Sequence, residues 1–307
     1  MMVASHGNSD SYQYDRFDYR RTPLHQDHVH YSNESRITFL YIIGVEGSGH
    51  HLLRPLLQHL AWITGHRPLY GSTTPFHNEL WFNRYLNQSQ ELRNFFIDKV
   101  LHPKEHVAVI EFASFPFENN CRSCTPGGIK LDEHYDLEWL YNALLPLKRE
   151  NMVEIKFMVL NRDWIRTVTS HWPTLQTTDG GLYQHAKYQS NFLNHIVNEF
   201  RRVEHTEVKM KTKNSLSHTW IQVMYEWFSC KSQHFCRDLM TNLFEYLNWK
   251  VTDHHIETSC SDLMKIFSNN GSHAHPIAKV DYDEIMKIKS EYPIPFLVAS
   301  DNGREGR

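Results

Sequence analysis

The 307-residue sequence predicts a three-layer α/β/α fold with a central parallel sheet. Three observations lead there. Strand-like runs alternate with helix-like runs along most of the chain. The strand-like runs 36–44, 106–115 and 153–162 are apolar on both faces, as a parallel sheet covered on both sides requires. The first of them passes into a helix through a glycine-spaced turn, in the stretch YIIGVEGSGHHLLRPLL (41–57).

Residues 1–35 are polar, rich in Tyr, Asp, His and Arg, and carry neither helical nor strand period. They predict a flexible polar arm. Residues 36–300 form a single expected domain, since no internal repeat and no Pro/Gly/Ser-rich linker interrupts them. RITFLYIIG (36–44) reads as a buried strand ending in glycine. HHLLRPLLQHLAWITG (50–65) places Leu52, Leu53, Leu56, Leu57 and Leu60 at helical spacing, with Gly65 as the stop and Pro55 early in the helix. Residues 78–101 read as one or two amphipathic helices, 106–115 as the second strand, 136–151 as a helix and 153–162 as the third strand. A helix starts at 163, and a long one covers 181–206. HTWIQVMYEWF (218–228) reads as the fourth strand and 236–249 as a helix. The segment 116–135 and the tail after 268 are irregular enough to serve as substrate or cofactor loops.

The bulk composition narrows the function. Hydrophobic residues make up 40% of the chain, enough to build a core. Lys and Arg total 32 against 35 Asp and Glu, a net charge of −3, so no basic excess exists to neutralise a nucleic-acid backbone. No run of about 18 apolar residues predicts a membrane span, and the first residues lack the apolar core of a signal peptide. The expected location is cytoplasmic; a missing leader would redirect the protein to the Golgi lumen. Five cysteines, an odd number, argue against a full disulfide framework. Cys121 and Cys124 form a C-x-x-C without the two further ligands that a zinc site needs, so no metal is expected.

Gly44 to Gly49 have the spacing G-x-x-x-x-G of a phosphate-binding loop. Gly47 and Gly49 let successive backbone N–H groups face one anion, Ser48 adds a hydroxyl, and the following helix adds its positive end. A nucleoside-triphosphatase loop needs Lys for the β/γ-phosphates and Ser or Thr for magnesium, and His50 and His51 occupy those places. A mononucleotide bound without a metal fits the loop better than ATP does. A second anion-binding pattern lies in KFMVLNRDWIRTVTSHW (156–172). A buried strand ends in Arg162, whose planar fork suits a phosphate, and Ser170 follows two helical turns later.

Together, the strand–GxxGxG–helix near the start and the mid-chain strand–N-R-D…S–helix resemble the sulfotransferase family. Its members have a P-loop nucleotide-binding-like fold and use 3′-phosphoadenosine 5′-phosphosulfate (PAPS). VMYEWF (223–228) with the helix after it is similar to the family's Tyr-Glu strand. NNGSHAHPIAKVDYDEIMKI (269–288) is similar to the loop that closes over the nucleotide. The likeness covers about residues 36–290. It implies that Gly47, Ser48, Gly49, His50, His51 and Leu52 hold the 5′-phosphosulfate, and that Arg162 and Ser170 hold the 3′-phosphate. It also implies transfer of a sulfuryl group to a hydroxyl or amine of a small-molecule or glycan acceptor, leaving adenosine 3′,5′-bisphosphate.

The departures from the family fall on the catalytic residues. Gly47 stands where the family has a Lys or Arg that stabilises the leaving oxygen. His50 or His51 can supply that charge, because a phosphate dianion favours the imidazolium. The family's Lys-x-His base after the second strand is missing. Glu111, expected at that strand's end, is the first candidate for the base; Glu46, inside the loop, is the second, with His77 and His171 behind them. Two other readings stay open: a kinase with a degenerate loop, and a nucleotide-binding relative that has lost catalysis.

Overall fold

Ile37–Val45 forms β1, the middle strand of a sheet whose two faces are buried under separate sets of helices. The computed structural model describes residues 36–45, 50–70, 88–102, 105–115, 137–162, 196–206, 219–230 and 232–270, with positions 190, 194, 283, 287, 290 and 291. The chain divides into two units, Met1–His30 and Tyr31–Arg307, and everything described lies in the second. The expected polar arm, the helix start at 163, the segment 116–135 and most of the closing loop lie outside the described residues.

In chain order the elements are β1, α1 (His50–Ile63), β2 (His66–Tyr70), α2 (Ser89–Phe95) continuing into a π-turn (Phe96–Val100), and β3 (His106–Phe115). Then come α3 (Leu137–Arg149), β4 (Val153–Asn161), a helical segment 196–206 (α4), and β5 (Trp220–Met224) with a 3-10 turn (Tyr225–Ser229). The last two are α5 (Gln233–Leu247) and α6 (Asp253–Asn270). The strand order is β2-β3-β1-β4-β5, and every pairing is parallel.

Side chains alternate across the strands and sort the helices into layers. Phe39, Tyr41, Val107, Val109, Ile155 and Phe157 face α2, α3 and α4. Leu40, Ile42, Ala108, Ile110, Met158 and Leu160 face α1, α5 and α6. The result is the expected α/β/α sandwich with a central parallel sheet. Among the described residues no helix is long and apolar enough to cross a membrane.

Several elements differ from the sequence reading, each for a local reason. β2 went unread because HRPLY has neither an apolar run nor an alternation; it is an edge strand, where Pro68 is tolerated. Gly65, at φ 76°, turns the chain from α1 straight into β2. The fourth expected strand, 218–228, is only Trp220–Met224 long, because Tyr225 opens the 3-10 turn. α5 starts at Gln233 rather than 236, since Ser232 caps it by accepting the Phe235 amide at 3.2 Å. α6 was missed because its buried stripe, Ile256, Ser259, Cys260 and Leu263, is half small or polar. Thr252 and His255 cap it reciprocally: the His255 amide donates to the Thr252 hydroxyl at 3.4 Å, and the Thr252 amide to His255 Nδ1 at 3.3 Å.

The amino end of the sheet is tied down by polar groups from α5 and the residues after it. The Tyr246 hydroxyl donates to the Phe157 carbonyl at 2.6 Å, and Trp249 Nε1 donates to the Thr38 hydroxyl at 3.1 Å. Lys156, fully buried, pairs with Glu154 at 3.2 Å and lies 5.0 Å from the centre of the Tyr246 ring.

Candidate functional site

The strand register makes neighbours of the two strands that precede the anion-binding patterns. Gly44 of β1 pairs with Leu160 of β4. The chain therefore leaves β1 at Val45 level with Asn161, the last residue of β4. Arg162 follows Asn161 directly, so it lies one residue beyond the level at which the neighbouring strand β1 ends at Val45. α1 opens at His50, five residues after β1 ends, with its amino end towards the same rim. The topology agrees. After β1 the chain builds β2 and β3 on one side of it and then crosses to place β4 on the other. Ligands of open α/β sheets sit at the carboxyl ends of the strands at such a reversal.

Arg162 is held in place from β5. Asn161 pairs with Met224, so the residues that follow the two strands, Arg162 and Tyr225, are also neighbours. The Arg162 guanidinium carbon lies 4.7 Å from the centre of the Tyr225 ring. That is cation–π range, worth about 0.5–2 kcal/mol. Tyr225 itself packs against the core layer that contains α1. The ring packs against the guanidinium, a planar group whose fork of N–H donors suits an anion. Tyr225 entered the sequence reading only through the family's Tyr-Glu pattern; its place under Arg162 follows from the strand ending at Met224, which the longer expected strand concealed.

The other expected site residues divide as follows. His50, His51 and Leu52 form the first turn of α1, where backbone amides lack intrahelical partners. Pro55, the sixth residue of α1, removes the amide that would bond the His51 carbonyl. Glu46, Gly47, Ser48, Gly49 and Ser170 lie outside the described residues, as do His77, His171, Cys121 and Cys124.

Glu111 is displaced from its expected position. It does not end β3, which runs four residues further to Phe115. At about 3.3 Å per residue, it sits about 13 Å back from the strand's carboxyl end. It pairs with Tyr41 in mid-sheet and is 2% exposed. The alternation puts it on the face covered by α2 and α3, opposite the face of α1. The strand read over 106–115 in the sequence already extends past Glu111, so the expectation that Glu111 ends it does not hold.

No family model matches the chain, and no curated protein does. Among solved structures the chain is similar to a crystal structure of mouse sulfotransferase SULT7A1 complexed with PAP, at 11% identity and a TM-score of 0.40. That match covers 80% of this chain and 69% of the other.

Proposed function

We propose that this protein is a sulfotransferase that uses PAPS and transfers its sulfuryl group to a hydroxyl or amine of a small-molecule or glycan acceptor. The observation that carries this reading is the convergence of two anion-binding patterns at one sheet rim. The strands that the loop and Arg162 follow, β1 and β4, are paired neighbours, and Arg162 is propped on Tyr225. Two neighbouring anion sites suit a nucleotide with phosphates at both its 3′ and 5′ positions. The donor would supply a phosphosulfate anhydride whose bridging sulfur–oxygen bond breaks as the bond from sulfur to the acceptor forms.

The chain's own residues then take these roles. Backbone N–H groups from Gly47 to Leu52 hold the 5′ end, with the Ser48 hydroxyl. Arg162 and Ser170 hold the 3′-phosphate. His50, opening α1, supplies the positive charge that Gly47 does not, and His51 is its substitute. The acceptor's proton goes to Glu46, which directly follows β1. Glu111, buried in mid-strand about 13 Å behind the rim, is the less favoured base.

Loss of the loop cation at Gly47 favours one second reading: a relative that binds the nucleotide without turning it over. One thermal-shift series separates the readings. Adenosine 3′,5′-bisphosphate at about 100 times its Kd stabilises the fold by roughly 2.7 kcal/mol, while AMP and magnesium–ATP do much less. Stronger stabilisation by magnesium–ATP rejects the sulfotransferase reading in favour of a kinase. Release of sulfate from labelled PAPS to an acceptor library then distinguishes enzyme from binding relative.

A further inference from the structure

Asn161 carries a carboxamide that neither the fold nor the anion-binding pattern uses. It ends β4, and its side chain is 3% exposed. Among the described residues no group hydrogen-bonds its Oδ1. Most buried polar side chains are paired, because a buried oxygen without a donor loses its hydration for nothing. Asn is also depleted in strands. Stability alone favours an apolar side chain here, like that of Val159 on the same face.

The sheet separates Asn161 from Arg162. Alternation along β4 puts Asn161 on the face of Phe157 and Val159, which α2, α3 and α4 cover. Arg162 turns the other way: its guanidinium meets Tyr225, which packs in the layer that contains α1. The residues expected to grip phosphates therefore lie on one side of the sheet, and Asn161 lies on the other. One row below it are Ile43 and Val159, both buried, and Gln222 of β5. An apolar surface with one polar atom to orient a bound molecule is the usual make-up of a small-molecule site. The last torsion of an Asn side chain is broad, so the oxygen can swing towards the rim without moving the strand.

We infer that Asn161 is a specificity-determining residue that accepts a hydrogen bond from the sulfuryl acceptor. The inference rests on the proposed transfer reaction. The reacting hydroxyl or amine must give its proton to a base, and an amide oxygen is too weak a base to take it. The bond to Asn161 therefore comes from a second O–H or N–H of the same molecule. That defines a substrate class: acceptors with at least two donor groups, amino sugars and diols among them, rather than simple phenols.

The test compares the full wild-type chain with Asn161→Leu, which stays branched and loses the polar atoms. The first readout needs no substrate. Removal of an unpaired buried oxygen should raise the urea midpoint by about 0.3–1 M. An unchanged or lower midpoint means that the carboxamide is paired within the fold, and overturns the inference. The second readout is kcat/KM with labelled PAPS on a panel of amino sugars and diols set beside simple phenols. The wild type should favour the first set by at least about a hundredfold, since a site built for a hydrogen bond rejects molecules that lack it. In N161L that preference should shrink below about tenfold. A wild type that sulfates simple phenols best, or no member of either set, overturns the inference, and so does an undiminished preference in N161L. Calorimetry with adenosine 3′,5′-bisphosphate separates the possible failures. N161L should bind it as the wild type does; a loss of about tenfold assigns Asn161 to the nucleotide and overturns the acceptor role. If the wild type binds no bisphosphate, the sulfotransferase reading fails, while the urea comparison still decides whether the Asn161 oxygen is unpaired.

Discussion

His66 should make this fold acid-sensitive in a way that one substitution can isolate. The side chain begins β2, is 6% exposed, and stacks on Trp249 with ring centres 4.7 Å apart. The His106 ring is 5.6 Å away on the adjoining strand, and the Thr64 hydroxyl lies 3.1 Å from Nδ1. Burial, with a smaller push from His106, lowers the His66 pKa from 6.5 to about 3, while a hydrogen bond with the Thr64 backbone works the other way. The folded pKa is below the unfolded one, so the unfolded chain takes up the proton first as pH falls. Stability from this group is fully present above pH 6.5 and drains away as pH falls towards 3. Each pH unit in that window costs about 1.4 kcal/mol, so a shift from pH 7.5 to 5 costs about 2 kcal/mol. In urea, with a slope of about 3 kcal/mol per molar, that moves the midpoint by roughly 0.7 M.

Many other groups titrate over the same range, among them the remaining histidines of the 22. The measurement is therefore a difference. Wild type and His66→Gln are unfolded in urea at pH 7.5, 6 and 5. The variant starts from a lower stability, because the stacking on Trp249 is lost, but it loses about 2 kcal/mol less between the two extremes. Parallel stability profiles for the two proteins would refute the reasoning and show that His66 gains its proton in the folded state without penalty.

Two predictions concern the carboxyl rim. Arg162→Ala should weaken adenosine 3′,5′-bisphosphate by about 1.5–3 kcal/mol, roughly 10- to 150-fold, and leave AMP nearly unchanged; Tyr225→Leu should show the same selectivity at a few-fold, and equal losses for both nucleotides in calorimetry reject the assignment. His50→Gln should lower kcat about a hundredfold with a smaller effect on nucleotide affinity, and a wild-type kcat would pass the role to His51.

The parts of the fold that were legible in the sequence are those where one physical requirement dominates. β1, β3 and β4 are buried on both faces, so their apolar runs stand out, and β3 was placed residue for residue. α1 and α3 carry leucines at helical spacing. What was not legible depends on position in the sheet rather than on composition. β2 is a strand because β3 offers it an edge, and nothing in HRPLY requires it. α6 buries the small residues Ser259 and Cys260 in its core-facing stripe, so the apolar stripe fades in the sequence. At the site, Arg162 was legible as the polar residue that ends an apolar strand. Its partner was not, because Tyr225 looks like one more aromatic strand residue until β5 is seen to stop at Met224. Glu111 shows the opposite error: its charge suggested an end, and the pairing with Tyr41 puts it in the middle.

These observations divide the sheet into two ends with different tasks. At the amino end, Trp249 reaches Thr38 and stacks on His66, while Tyr246 reaches Phe157 and covers Lys156. Trp249, just after α5, reaches the starts of β1 and β2, Tyr246 reaches the middle of β4, and the acid-sensitive histidine belongs to the first pair of contacts. At the carboxyl end, Arg162 and Tyr225 leave adjacent strands, and the first of these strands pairs with β1. The separation makes the two kinds of histidine distinguishable in one pH series. If His50 works as an imidazolium, activity falls on the alkaline side and His50→Gln abolishes that limb alone. Loss of the fold falls on the acid side, where His66→Gln flattens the stability profile and leaves the alkaline limb in place. A single substitution that altered both limbs equally would mean that the two ends of the sheet are not independent, and that the amino-end contacts set the geometry of the loop.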